Sequence, residues 1–226
     1  MLYRLLKAFL IPVLTPTFRP DVKGLRNVPA TGSVIIASNH NSFSDSVFLP
    51  LVISRKVTFL AKSEYFTTPG FKGLLMRLTF TALGQVPIDR SGGRRSEAAL
   101  LTGLKLLADG AALGIYPEGT RSPDGKLYKG RTGIARLALE SGAPVAPVAM
   151  FNTDKIQPQG KMIPNIERVG IVFGEPMYFD GDPSDIKLQR EITDEIMMRI
   201  KSLGNLEYID IYASDAKKNL HGESEN

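Results

Sequence analysis

The chain has 226 residues, 43% of them apolar and 23% charged, with Gly and Pro scattered along it. That composition excludes disordered and fibrous proteins and fits one large domain. There is no cysteine, and the histidines are two, His40 and His221. Disulfides, thiolate metal sites and thiol nucleophiles are therefore excluded, and no metal site of the His- and Cys-rich zinc type is expected. The net charge of +5 is modest, and no nucleic-acid partner is expected.

Residues 1–27 carry Arg4, Lys7, Arg19, Lys23 and Arg26 against Asp21 alone. These are interleaved with Leu2, Leu5, Leu6, Phe9, Leu10, Ile11, Val13 and Leu14, which predicts an amphipathic helix interrupted at Pro12. The run is shorter and more charged than the roughly 20 apolar residues of a membrane span, and it has no secretory cleavage pattern. It is expected to lie on a membrane surface as an N-terminal association segment, the alternative being a helix packed on the domain's own core.

From residue 28 the elements alternate as α/β packing requires. "SVIIAS" predicts a strand, and "DSVFLPLVIS" a helix with Ser42 or Ser44 as N-cap. "KVTFLAK" predicts the next strand, and "GFKGLLMRLTFTALG" a second surface helix. "QVPID" is a short strand, "RRSEAALLTGLKLLADG" a helix closed by Gly110, and "ALGIYP" a buried strand. "GRTGIARLALESG" predicts a helix, "PVAPVAMF" and "ERVGIVFG" strands. After Asp182 a helix opens with Pro183 at its first position and repeats Leu188, Ile192, Ile196, Ile200 and Leu203. The ending "KKNLHGESEN" reads as a frayed tail. The expected fold is α/β, a mixed central sheet flanked by helices, with the main domain at 28–212 and a disordered tail at 213–226.

His40 and Asp45 stand five positions apart, which on one helix would separate them by about 140°. The spacing makes sense if His40 ends a strand, 41–44 turn, and Asp45 in the first helical turn reaches back to one ring nitrogen. Such an imidazole has its tautomer fixed and its other nitrogen free to take a proton from a hydroxyl. Turns after strands also collect His, Asn, Ser and Asp for capping alone. A second cluster, "GQVPIDRSGGRR", places Arg90 and then Arg94 and Arg95 at a strand end, as phosphate recognition needs, though a solvated basic turn would look the same. In the third, "GIYPEGTRSPDGKLYKGRTG", Gly119 permits close backbone approach, Thr120 adds a hydroxyl, and Glu118 and Arg121 offer opposite charges.

Together these clusters resemble the glycerolipid acyltransferase family, closest to its bacterial 1-acyl-sn-glycerol-3-phosphate acyltransferases. "NHNSFSD", "GQVPIDR", "YPEGTRS" and "APVAPVAM" match its four blocks in order and separation across roughly residues 30–150. The resemblance implies that His40 and Asp45 are catalytic and that Arg90, Glu118, Gly119, Thr120 and Arg121 bind the acceptor. Pro87 and the Ala-Pro-Val of the fourth block depart from the commoner residues there, without touching a charged group. The implied reaction moves an acyl chain from an acyl thioester, acyl-CoA or acyl carrier protein, to lysophosphatidic acid, with no cofactor.

With no Cys and no Gly-x-Ser-x-Gly elbow, direct attack without an acyl-enzyme is expected, Ser42 and Ser44 serving as caps. A backbone amide or Lys62 in "FLAKSEYF" is the candidate oxyanion donor. Glycerol 3-phosphate or another lysolipid remains an alternative acceptor, and a non-catalytic lipid-binding module a different class of reading. The expected location is the cytoplasmic face of the cell membrane, held peripherally.

Overall fold

Five consecutive buried residues, Val34–Ser38, form β2 at the centre of a sheet covered on both faces. Such a strand reads as a continuous apolar run because neither face meets water. The computed structural model describes residues 2–88, 95–158, 161 and 163–222. Along them run α1 (Leu2–Phe18), β1 (Asp21–Lys23), β2, α2 (Asp45–Val52), β3 (Val57–Lys62), α3 (Glu64–Thr67), α4 (Gly70–Ala82), β4 (Gln85–Ile88) and α5 (Arg95–Ala108). There follow β5 (Ala112–Ile115), β6 (Leu127–Tyr128), α6 (Gly133–Ser141), β7 (Val145–Phe151), α7 (Thr153–Ile156), β8 (Gly170–Phe173), α8 (Ile186–Gly204), β9 (Tyr208–Ile209) and α9 (Ala213–Gly222).

Seven strands pair in the order β1-β8-β7-β2-β5-β3-β4. All neighbours are parallel except β7 and β8, so the sheet is mixed, as expected. The period-two alternation of β2 divides the core. Val34 and Ile36 face the side covered by α1 and α2, with Phe18, Phe48, Leu49 and Ile171. Ile35 and Ala37 face Leu107, Ile134, Leu137, Ile192, Ile196 and Ile200 of α5, α6 and α8.

Four details depart from the sequence reading. Helix α1 runs through Pro12 to Phe18 without interruption. Pro12 and Ala8, whose carbonyl loses its N–H partner, both lie on the exposed side, where water can replace the lost bond. Residues 1–27 are not all peripheral, because β1 pairs with β8 at the sheet edge and Phe18 joins the core. Helix α8 starts at Ile186, not Pro183, because the Asp185 carboxylate accepts from the Lys187 and Leu188 amides and caps it there. Residues 213–222 form α9 rather than a frayed tail: Ala213 and Ala216 are buried against Tyr128.

Candidate active site

The parallel strands β2, β5, β3 and β4 share one carboxyl end, where open α/β sheets bind ligands. Register then decides the neighbours. Ala37 of β2 lies opposite Ile115 of β5, so three residues on, His40 meets Glu118. The His40 amide donates to Glu118 Oε1 at 2.9 Å, and the Ser122 amide donates to the His40 carbonyl at 2.6 Å. Asn39 ties the same turn to β7. Its side chain donates to the Met150 carbonyl at 2.9 Å and accepts from the Met150 amide at 2.8 Å.

The expected His–Asp pairing is present. His40 Nδ1 and Asp45 Oδ2 lie 2.9 Å apart, with Asp45 at the first turn of α2. The same oxygen accepts from the Asn41 amide at 2.7 Å and the Ser42 amide at 2.8 Å. Asp45 is fully buried, while the His40 side chain keeps 17% of its surface exposed, and Nδ1 is committed to the carboxylate. The free edge of the ring, carrying Nε2, is therefore the edge left for a proton. Ser44 stands at the N-cap position but its side chain does not cap the helix. Its hydroxyl pairs with Ser42 Oγ, 3.0 Å away, and Ser42 Oγ also donates to the Gln157 carbonyl.

Tyr116 holds the imidazole plane. Its ring stacks on His40 with centroids 3.8 Å apart and planes 10° apart, and Phe59 stacks behind it at 5.4 Å. Gly114 makes room for Phe59, since a Cβ there would fall 2.3 Å from that ring. The Tyr116 hydroxyl pairs with Ser46 Oγ at 3.0 Å. Burial, reinforced by the Asp45 charge, pushes that hydroxyl well above its ordinary value, so it stays neutral. Nothing in the spacing of "GIYPEG" pointed to this stacking, which arises only when β5 lies beside β2 and β3.

The loop after Tyr116 sorts the remaining expected residues. Glu118 was expected to contact the acceptor, but it is fully buried and its oxygens are occupied by the amides of His40 and Tyr128, at 2.9 and 3.0 Å. It is a brace joining the His40 turn to β6. Burial is the main influence on its carboxyl, raising it to about 8 against the opposing pull of the two amides. Gly119 has a φ of +74°, where any other side chain is strained, and a Cβ there would approach Arg131 Nε to 3.0 Å, so the position favours glycine on both counts. Thr120 accepts a hydrogen bond from Lys217 of α9 at 2.9 Å. Arg121 is exposed and pairs with no carboxylate among the described residues. Arg90 lies outside the described residues, as does the side chain of Lys62, whose backbone ends β3. Among the described residues no three His, Cys, Asp or Glu side chains gather as metal ligands would.

Fold and site together define an α/β protein carrying a buttressed His–Asp pair where its parallel strands end. An acyltransferase family model matches residues 19–151, more than half of the chain, and the protein belongs to that family. A chloroplastic 1-acyl-sn-glycerol-3-phosphate acyltransferase of Brassica napus is 30% identical over 84% of this chain and 52% of its own length. The 1-acyl-sn-glycerol-3-phosphate acyltransferase of Bacillus subtilis is 29% identical over 79% of this chain and 85% of its own. The chain thus spans about half the length of the chloroplastic relative and most of the bacterial one. The crystal structure of the 1-acyl-sn-glycerophosphate acyltransferase PlsC of Thermotoga maritima superposes with a TM-score of 0.63 at 25% identity, covering 87% of this chain and 80% of that one.

Proposed function

We propose that this protein transfers a fatty acyl chain from an acyl thioester to the free hydroxyl of 1-acyl-glycerol 3-phosphate, producing phosphatidic acid for phospholipid synthesis. The observation that carries the reading is the His40–Asp45 pair, with one ring nitrogen held by a buried carboxylate and the other at an open edge. The acceptor O–H gives its proton to His40 Nε2 as its oxygen bonds to the thioester carbonyl carbon. The negative charge of Asp45 stabilises the imidazolium so formed. The C–S bond then breaks, and the departing thiolate of coenzyme A or acyl carrier protein takes up the proton. No acyl-enzyme is required. The nearby hydroxyls of Ser42 and Ser44 are buried and engaged with each other and with the Gln157 carbonyl, turned away from nucleophilic use.

Arg121, together with Arg90, is assigned to the acceptor's phosphate, for which guanidinium groups supply charge and paired donors. No cofactor or metal enters the chemistry. The names of the Brassica and Bacillus relatives support the acceptor, and the match to both favours it over glycerol 3-phosphate.

A peripheral location at the cytoplasmic face of the cell membrane completes the proposal. Phe9 in α1 is 70% exposed and Phe71 in α4 83%, with Leu5, Ile11, Val13, Leu75 and Leu78 exposed beside them on the same two helices. The opposite side of α1 packs on the domain through Leu10, Leu14 and Phe18, so the core-packing and surface readings of this helix hold for different faces. Lys7 is not available to headgroups, because its ammonium donates to the carbonyls of Pro50, at 3.0 Å, and Ile53. No helix among the described residues is long and apolar enough to cross a membrane. The test is acyl transfer from labelled acyl-CoA and acyl carrier protein to a panel of glycerol phosphates and lysolipids, with the acylated position mapped. Phosphatidic acid formed by the wild type and lost in folded His40→Ala is the expected result. Undiminished turnover by that variant would overturn the mechanism.

A further inference from the structure

The third sequence block does not stand alone at the site. The chain returns about eighty residues later and lays its final segment against it. Strand β9 pairs with β6, the Leu127 amide donates to the Glu207 carbonyl at 2.9 Å, and the Lys129 amide to the Ile211 carbonyl at 3.0 Å. Arg131, which packs under Gly119, stacks its guanidinium over Tyr212 at 4.8 Å and donates to Ser214 Oγ at 3.2 Å. These anchors fix the first turn of α9. Its inward face holds Ala213, Ala216 and Lys217, spaced three and four apart as one helical face requires. The two alanines are small enough to seat the helix close, and Lys217 then reaches Thr120 Oγ1 at 2.9 Å.

The company Lys217 keeps sets it apart. Its lysine neighbours are matched by carboxylates, Lys126 by Glu207, Lys129 by Asp210 and Lys218 by Asp215, while Arg131 is engaged by Tyr212 and Ser214. Lys217 and Arg121 form no ion pair with any described residue, although each lies within electrostatic reach of the other. Partial burial, followed by repulsion from Arg121, lowers the affinity of Lys217 for its proton, against a smaller pull from Glu118. Two neighbouring cations beside a hydroxyl, with the Glu118 carboxyl engaged by two amides, make a site for an anion.

We infer that Lys217, carried by helix α9, is a further phosphate-binding cation of the acceptor site, acting with Arg121 and the Thr120 hydroxyl. This rests on the acceptor proposed above and adds a residue from outside the span matched by the family model. Helix α9 is then a specificity element: it selects acceptors whose hydroxyl carbon neighbours a phosphate ester, and an uncharged monoacylglycerol gains nothing from it.

The test uses the full chain. Lys217→Met, which keeps the stem's packing, should raise the KM for 1-acyl-glycerol 3-phosphate roughly tenfold to a hundredfold, the usual worth of one charge-assisted hydrogen bond. The donor KM and the melting temperature should stay near wild type, and Lys217→Arg should recover most of the loss. An unchanged acceptor KM in folded Lys217→Met, or an equal rise with monoacylglycerol as acceptor, would overturn the inference. Should that variant not fold, the wild type decides: glycerol 3-phosphate should protect Lys217 from acetylation, read by mass spectrometry, and leave exposed Lys218 unprotected. Absence of that protection would also refute it. A wild type that binds glycerol 3-phosphate at Lys217 yet acylates no lysophosphatidic acid would refute the proposed reaction instead.

Discussion

Replacing Asp45 separates its charge from its hydrogen bonds. One oxygen, Oδ2, takes three donors, at 2.7, 2.8 and 2.9 Å, while Oδ1 is buried with no partner. In Asp45→Asn the amide oxygen can occupy the Oδ2 position and keep all three bonds. The NH2 then falls where Oδ1 was, leaving a buried amino group whose two N–H donors lack a partner, at about 1–3 kcal/mol for the group. Against a total stability of about 5–15 kcal/mol the variant should fold. Its melting temperature should drop by about 2–4 °C for each kcal/mol lost, the figure for chains of this size. Turnover should nevertheless fall by roughly 10² to 10⁴, because the imidazolium loses its counter-charge at the moment of proton transfer. In Asp45→Ala two backbone amides lose their acceptor together, roughly 2–6 kcal/mol, which approaches the whole stability. That variant should melt far lower or fail to accumulate. The assay pairs thermal melting with single-turnover acyl transfer, and the His40→Ala/Asp45→Asn double variant should be no slower than His40→Ala, since the pair acts as a unit. Near-wild-type turnover in folded Asp45→Asn would show that the carboxylate only shapes the turn.

Glu118 gives a pH signature. Its carboxyl titrates near 4.5 ordinarily and at about 8 in the fold, so across that window the folded chain holds a proton the unfolded chain has released. Stability contributed by this group therefore falls as pH rises from about 4.5 to about 8, by at most about 1.4 kcal/mol per pH unit. Denaturation across that range should show a steeper decline in wild type than in Glu118→Gln; equal slopes would refute the assignment. Gly119→Ala should lower both melting temperature and acceptor affinity, because the positive φ and the contact with Arg131 oppose any Cβ; an unchanged melting curve would contradict this. Leu5→Ser/Phe9→Ser removes two exposed side chains and should weaken sedimentation with anionic vesicles at least about a hundredfold, from about 1.5–3 kcal/mol for each apolar side chain no longer buried. The same variant should keep its melting temperature and its activity on a short-chain soluble acceptor. Unchanged vesicle binding would remove α1 from the membrane proposal.

The amino-acid sequence by itself determined whatever depends on near neighbours in the chain. The apolar run of β2, the helix after Ser44, the closure of α5 at Gly110 and the five-residue reach from Asp45 back to His40 are local, set by periodicity and turn chemistry. Their order, strand then helix, was enough for an α/β fold with a mixed sheet. Tertiary structure decided everything that needed two distant segments to meet. Glu118 reads as a surface charge in its own loop and becomes a buried brace only when β5 pairs with β2 and sets it beside the His40 amide. Tyr116 acquires its role from the same pairing, since a stacked ring has no sequence period. Lys7 looked like a headgroup ligand on a basic helix until α1 lay against α2 and its ammonium met the carbonyls at that helix's end. The polar sequence after Ala213 gave no sign of order because its buried face is two alanines and a lysine stem, too little apolar surface to show as a pattern. It is held by contacts with residues 120–131, and only the folded chain brings Lys217 to Thr120, 97 positions away.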